Sequence, residues 1–304
     1  MRTAALLLFL LWRCAALAAP AAVEEKGELF EGTGASLYYE VRGRGPGPPL
    51  IVANGGPGFD HGYLHCSDAW DILAKGRAVV FYDQRGNGRS PALKAGQSCT
   101  LADQIADLDA LRAHLRFEKI DLLGHSWGGY LVMAYAARHP ERIAHLIICD
   151  SAAPKWEETV FLFKDIYPET VTRQDGLAFA VEMGDDQAIH ADLREYMSML
   201  FHSPEKRDAF LARASSYVYR REVNKAIESD VRRFDLNPEL PKFQFQTLVI
   251  TGRYDFNVAP AVAWRIHSAI PGSRWAVFEN SGHLPFFEER DQFVRVVEEF
   301  LAVK

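Results

Sequence analysis

The chain has 304 residues, 48% of them hydrophobic and 24% charged, which supplies a full apolar core and excludes a disordered, collagen-like or disulfide-dense chain. Its 34 Lys and Arg against 40 Asp and Glu give a net charge of −6. No basic stripe offsets that balance, because Tyr219-Arg220-Arg221 and Arg232-Arg233 are interleaved with acids, so no nucleic-acid partner is expected.

The chain opens with Met1-Arg2-Thr3, an apolar run from Ala4 to Trp12, and the small-x-small sequence Ala16-Leu17-Ala18. This pattern predicts a secretory signal over residues 1–19 and a secreted or periplasmic protein. The run is far shorter than the ~20 residues a spanning helix needs, so no stable membrane insertion is expected after cleavage. Gly43 to Pro49 reads as a turn. Leu50 to Ala53, Ala78 to Tyr82, Ile120 to Leu123, Ile143 to Cys149, Leu248 to Thr251 and Trp275 to Phe278 read as strands. Between them, Leu101, Ile105, Leu108, Leu111 and Leu115 form a helical stripe, with Thr100 and Asp103 as its capping start. A last helix carries Phe293, Val296, Val297, Phe300 and Leu301 on one face. Strands apolar on both faces, alternating with helices, predict an α/β fold with a mostly parallel sheet flanked by helices.

The alternation stops from Ser151 to Leu240, where the pattern is helical and aromatic: Trp156, Phe161, Phe163, Tyr167, Phe179, Tyr196, Phe201, Phe210, Tyr217 and Tyr219. An inserted helical cap over 151–240 is expected, with 20–150 and 241–304 as the sheet core, and most of these aromatics forming the cap's own interior. Cys149 ends an apolar run and should be buried; Cys66 and Cys99 could pair in an oxidising compartment, which sequence leaves open. His61 and His65 have a spacing a metal could use on a helix, but the neighbouring Gly and Pro point to a loop and no further ligands cluster there, so no metal is expected.

Gly124-His125-Ser126-Trp127-Gly128-Gly129 fits G-x-S-x-G between a predicted strand and a predicted helix, Tyr130 to Arg138. Small residues there permit the tight turn that lifts a nucleophilic Ser126 above the sheet. A nucleophilic serine needs a base, and the base an orienting carboxylate, in the order Ser, acid, His on this kind of sheet. His283 lies in a turn after the last strand and is the expected base, whereas His267 sits mid-helix. Asp255, in the Gly-started turn after Leu248 to Thr251, is the favoured acid; Asp150, which also follows a strand, is its rival. The backbone N–H of Trp127 and one from Asn54-Gly55-Gly56-Pro57-Gly58 are the candidate oxyanion donors.

Asn54 to Gly58, Asp83-Gln84-Arg85-Gly86-Asn87-Gly88-Arg89-Ser90 and the Ser126 elbow together resemble the prolyl-aminopeptidase branch of the α/β-hydrolases, which includes the tricorn-interacting aminopeptidases. The resemblance spans about residues 28–150 and 241–303 and is faint across the cap. It implies a triad of Ser126, Asp255 and His283, an oxyanion hole of Gly56 and Trp127, and loop-bracing roles for Asp83 and Arg85. Two positions depart from the family: Asn54 stands where His usually begins the Gly-rich motif, and Phe256 stands where tricorn-interacting members carry an acid that helps to bind the substrate amine. Glu222 matches a cap Glu of those enzymes and is the expected substrate-binding residue, unless it pairs with a neighbouring Arg or Lys.

The expectation is therefore an exported serine hydrolase that needs no cofactor and acts on short peptides or small acyl substrates, releasing N-terminal residues with proline among them. The alternatives are a carboxylesterase or amidase for small uncharged acyl groups, and a non-catalytic ligand-binding protein on the same fold. The oligomeric state stays open.

Overall fold

The computed structural model describes residues 27–214 and 218–302, so the signal-peptide expectation for residues 1–19, and Tyr217, lie outside the described residues. Eight strands, β1 (Glu28–Glu31), β2 (Ser36–Arg42), β3 (Leu50–Ala53), β4 (Val79–Asp83), β5 (Ile120–His125), β6 (Ile143–Cys149), β7 (Gln246–Gly252) and β8 (Arg274–Phe278), form one sheet in the order β1-β2-β4-β3-β5-β6-β7-β8. β1 pairs antiparallel with β2 and β2 with β4, and every later pair is parallel. The six strands expected from apolar runs are present. β1 and β2 were not expected, and the reason is physical. In β2 the buried Leu37, Tyr39 and Val41 alternate with half-exposed Ser36, Tyr38, Glu40 and Arg42, so the antiparallel end of the sheet never makes a continuous apolar run.

Alternate residues of the central strands feed two cores. Ile51, Ala53, Val80, Tyr82 and Leu122 belong to one, and Leu50, Val52, Val79, Phe81 and Leu123 to the other. Helices α1 (Ala69–Leu73), α2 (Leu101–His114) and α3 (Trp127–Arg138) follow in chain order. α2 starts as its sequence predicts: the Asp103 N–H donates to Thr100 Oγ1 (3.2 Å) and the Thr100 N–H to Asp103 Oδ2 (2.8 Å). Cys99 lies in the first core and Cys66 in the second, and with Cys149 both are buried free thiols. The sheet separates the pair that sequence had left open to a disulfide.

Between β6 and β7 come α4 (Phe163–Ile166), α5 (Pro168–Glu182), α6 (Asp186–Ser198), α7 (Pro204–Arg213) and α8 (Arg221–Val231), and after β7 come α9 (Pro260–Ala269), α10 (Pro285–Glu288) and α11 (Arg290–Leu301). The aromatics of the insertion do not mainly fill its own interior. Phe201 and Phe210 pack on each other and on Phe287 of α10, in the second core that also holds the sheet strands. Trp156, Phe161, Phe163, Tyr196 and Tyr219 instead line a cavity shared with the sheet, and Phe179 is 79% exposed. The cause is thinness: α5 buries no residue at all, so the insertion is closer to a single layer whose inner face is a roof than to a domain with its own core. Among the described residues no helix is long and apolar enough to cross a membrane.

Candidate active site

Residues that end successive parallel strands meet at one edge of the sheet: the Asn54–Gly58 loop after β3, Ser126 after β5, Asp150 after β6, Asp255 after β7 and His283 after β8. This is the edge at which α/β sheets bind ligands. Ser126 takes φ 59° and ψ −122° between β5 and α3, a conformation L residues rarely adopt. The flanking glycines make it possible. A Cβ on Gly124 would sit 2.2 Å from the Gly128 carbonyl oxygen, and one on Gly128 would sit 2.1 Å from that of Ala53. The Ser126 N–H donates to the Cys149 carbonyl (3.0 Å), which pins the turn to β6. Its side chain stands at the N-terminal end of α3, where the helix dipole favours developing negative charge.

His283 and Asp255 are joined: Nδ1 lies 2.8 Å from Asp255 Oδ2. Asp255 Oδ1 accepts the N–H groups of Asn257 (3.0 Å) and Val258 (2.9 Å), so a fully buried carboxylate is held by three donors. These partners assign the proton to Nδ1 and leave Nε2 as an acceptor, which takes the side-chain N–H of Asn257 at 3.0 Å. Asn257 in turn accepts from Tyr196 of α6 (3.4 Å), linking the imidazole to the insertion. The His283 N–H donates to the Leu200 carbonyl (2.7 Å). His125, inside the elbow motif, runs a second chain: its Nε2 meets the His283 carbonyl (2.8 Å), its Nδ1 meets the Tyr63 hydroxyl (2.6 Å), and that hydroxyl accepts the Gly55 N–H (2.7 Å). Complete burial, followed by the neighbouring His283, holds the His125 pKa well below the ordinary range, so it is neutral and serves as a strut between the histidine loop and the Gly-rich loop.

The Gly-rich loop is braced from its other side. The Asn54 side chain donates to the carbonyls of Gly55 and Phe59 (both 2.9 Å), Gln84 Nε2 donates to the Asn54 carbonyl (3.0 Å), and Trp127 Nε1 donates to Gln84 Oε1 (2.8 Å). Asn54 thus ties the loop end to end. Gly56 and Trp127 both border the cavity that holds Ser126. Arg85 grips Asp107 through Nε (2.8 Å) and Nη2 (2.7 Å) and reaches the Thr33 carbonyl (2.7 Å). Asp83 accepts the N–H groups of His61 (3.0 Å) and Arg89 (2.8 Å). Both lie behind the loops. His61 and His65 fall in a 3-10 turn, and with Glu40 they bring ring nitrogens and a carboxylate together. The charge that meets them is the Arg89 guanidinium, 2.6 Å from Glu40 and 2.8 Å from His61 Nε2.

The cavity has a volume of about 350 Å³. Its walls are Phe59, Trp127, Trp156, Phe161, Phe163 and Tyr196, and its polar groups beyond Ser126 include Gln174, Asp192, Asn224, Glu228 and Asn257. Glu222 does not line it. The expected substrate-binding residue is exposed at the start of α8, while Asn224 and Glu228, one helical turn apart on another face, look into the cavity. Two positions along a helix rotate a side chain by about 200°, which carries Glu222 away from the face that Asn224 occupies. Phe256 is outside the lining too; its ring packs against Tyr167 and Tyr254. Burial raises the pKa of Asp192, against an N–H from Gln174 (2.9 Å) that lowers it. Among the ion pairs of the described residues none gives Asp192 or Glu228 a basic partner. Sequence reasoning missed Tyr63, His125, Gln84, Asn257, Asp192 and Glu228. The usable signals were the residue before Ser126 and the residue after Asp83.

The alpha/beta hydrolase fold model matches residues 48–290. The proline iminopeptidase of Clostridium botulinum strain Hall is 32% identical, over 87% of this chain and 94% of that protein. That of Saccharolobus solfataricus is 31% identical, over 88% and 89%. Among solved structures, an alpha/beta fold family hydrolase from Bacillus anthracis superposes with a TM-score of 0.76 at 21% identity, covering 90% of this chain and 99% of that one. A thermophilic esterase from Thermogutta terrifontis gives 0.69 at 24%, covering 91% and 98%.

Proposed function

Because this chain belongs to the α/β-hydrolase family, in its proline iminopeptidase branch, we propose that it is a serine aminopeptidase whose nucleophile is Ser126 and whose substrate amine is held by Asp192 and Glu228. The observation that carries the reading is the cavity itself: one space contains Ser126 and two carboxylates without a basic partner among the described ion pairs. A desolvated ammonium group needs such partners, and an uncharged acyl group does not. The aromatic walls suit a small apolar N-terminal residue, and a proline ring fits that description.

In the proposed reaction the Ser126 hydroxyl takes the place of the Asn257 amide at His283 Nε2 and attacks the carbonyl of the N-terminal residue. His283 accepts the hydroxyl proton while Asp255 stabilises the imidazolium. The N–H groups of Gly56 and Trp127 meet the oxyanion. His283 then passes the proton to the leaving amine, and water returns through the same steps to release the amino acid and restore Ser126. The segment 151–240 acts as the cap that carries the amine-binding acids.

A fluorophosphonate probe followed by peptide mass mapping tests the nucleophile. Label should fall on Ser126, and Ser126→Ala should lose the label and at least about a thousandfold of turnover, with its circular dichroism unchanged. Full turnover by clean Ser126→Ala protein contradicts the mechanism. The esterase reading is favoured by the aromatic walls alone, which leave the two acids without a task. We also propose that residues 1–19 direct export, on the strength of the Ala4 to Trp12 run and Ala16-Leu17-Ala18. N-terminal sequencing of extracytoplasmic protein should begin near Pro20; an intact Met1 on protein confined to the cytoplasm contradicts export.

A further inference from the structure

Both positions from which such a sheet can present a triad acid carry an aspartate, and both are buried: Asp150 is 1% exposed and Asp255 is fully enclosed. Asp150, Asp255 and His283 each bring an oxygen or ring nitrogen within 4.8 Å of the others. Two ionised carboxylates this close in a buried site repel each other, which favours a proton on one of them. The charge balance requires the same. With Nδ1–H donated to Asp255 and Nε2 accepting from Asn257, the resting imidazole is neutral. Around the pair, β6 contributes the Cys149 thiol, the β7 loop Asp255 itself, the β8 loop His283, and β5 His125, which is neutral and hydrogen-bonded to Tyr63. Among the described ion pairs no Arg or Lys reaches either carboxyl. Two adjacent buried anions without a cation are not sustainable, and such pairs keep one proton.

Hydrogen bonding decides which group keeps it. Asp255 accepts two backbone N–H groups and the imidazole N–H. Asp150 accepts one backbone N–H, from Gly252 (2.8 Å), and a weak thiol donor, Cys149 (3.2 Å). We propose that Asp150 is a neutral carboxylic acid that donates its O–H to the ionised Asp255, a positioning residue that holds the triad carboxylate against His283. Burial raises the Asp150 pKa well above the usual carboxylate range, with the Asp255 charge acting in the same direction. The role rests on the triad reading above. Asp150 transfers no proton: the Ser126 proton travels to His283 Nε2 and on to the leaving group, and the Asp150 O–H stays in place. The backbone supports a dedicated placement, since Asp150 takes φ 46°, in the left-handed region that Asp and Asn tolerate better than other non-glycine residues.

Asp150→Asn is therefore the informative variant. It keeps a donor for Asp255 and tolerates the backbone, but it cannot ionise. A difference infrared spectrum, wild type minus Asp150→Asn at pH 7, should show the carbonyl stretch of a protonated carboxylic acid. Folding also takes up this proton above the unfolded Asp pKa, so the acid form stabilises the fold most at low pH and that advantage is lost as pH rises. The unfolding constant of the wild type relative to Asp150→Asn should accordingly rise about tenfold per pH unit between pH 5 and 7. Asp150→Ala should lose on the order of a hundredfold in kcat, which Asp150→Asn restores in large part. A difference spectrum without the acid band, or a relative unfolding constant flat with pH, overturns the proposal. Both measurements are made without substrate, so a protein that turned over nothing would sink the proposed function and leave this assignment standing.

Discussion

Asp192 and Glu228 sit partly buried in an aromatic wall, and a carboxylate in such a place is costly until a cation meets it. If that cation is the substrate ammonium group, neutralising either acid should weaken substrates with a free amine and spare those without one. Asp192→Asn and Glu228→Gln are each expected to lower kcat/KM on a free-amine prolyl anilide about tenfold or more, the worth of one hydrogen bond to a charged group, mostly through KM. Hydrolysis of a short nitrophenyl ester should stay within about twofold. Equal losses on both substrates would assign these acids to the fold of the cavity instead. Sequence periodicity could not have distinguished Glu222 from Glu228, because α8 packs one face on the core through Val223, Ile227 and Val231 and both acids lie off that face. Only the placement of α8 over Ser126 decides which of them looks inward. The placement of Ser126, Asp255 and His283 at one edge, by contrast, was legible because each follows its own strand end, and strand order is what the apolar runs record.

The elbow is the element on which the site depends, and its glycines are required by contact distance more than by flexibility. Gly128 lets α3 approach β3 until a Cβ would overlap the Ala53 carbonyl oxygen at 2.1 Å, a backbone atom with no side chain to yield. Gly128→Ala is expected to destabilise the protein by about 3 kcal/mol, the upper end of ordinary overpacking, readable as a lowered urea midpoint at unchanged m. A variant as stable as the wild type would mean that the strand and helix are not in this contact. The same reasoning explains which elements the sequence reveals. β3, β5, β6 and β7 are apolar on both faces and stand out as runs, and α2 announces itself by its capping box. β1 and β2 alternate at the exposed antiparallel end and hide among polar residues. The loops around His283 are legible only in part, because what fixes them is distant in sequence. Glu288 accepts the N–H groups of His202, Ser203 and Gly282 (3.0, 2.9 and 2.6 Å), clamping the start of α7 to the histidine turn.

At the scale of the whole molecule, a two-faced sheet supplies rigidity and a thin helical insertion roofs the cavity. The sheet buries β3, β4 and β5 throughout and presents Ser126, Asp255 and His283 from one edge. The insertion has little interior of its own and turns its aromatics and two of its acids toward that edge. This division explains why the family was legible from the sheet motifs while Asp192 and Glu228 were not: they reside in the helical insertion. In the proposed function the catalytic edge supplies acyl hydrolysis, and the acids above it select a free amine. The most direct test pairs free-amine prolyl and alanyl anilides with their N-acetylated twins and a short nitrophenyl ester, on the purified chain from residue 20. The account predicts cleavage of the free-amine anilides and loss of it on acetylation. Cleavage of the acetylated twins at the same rate, or of the ester alone, would contradict it.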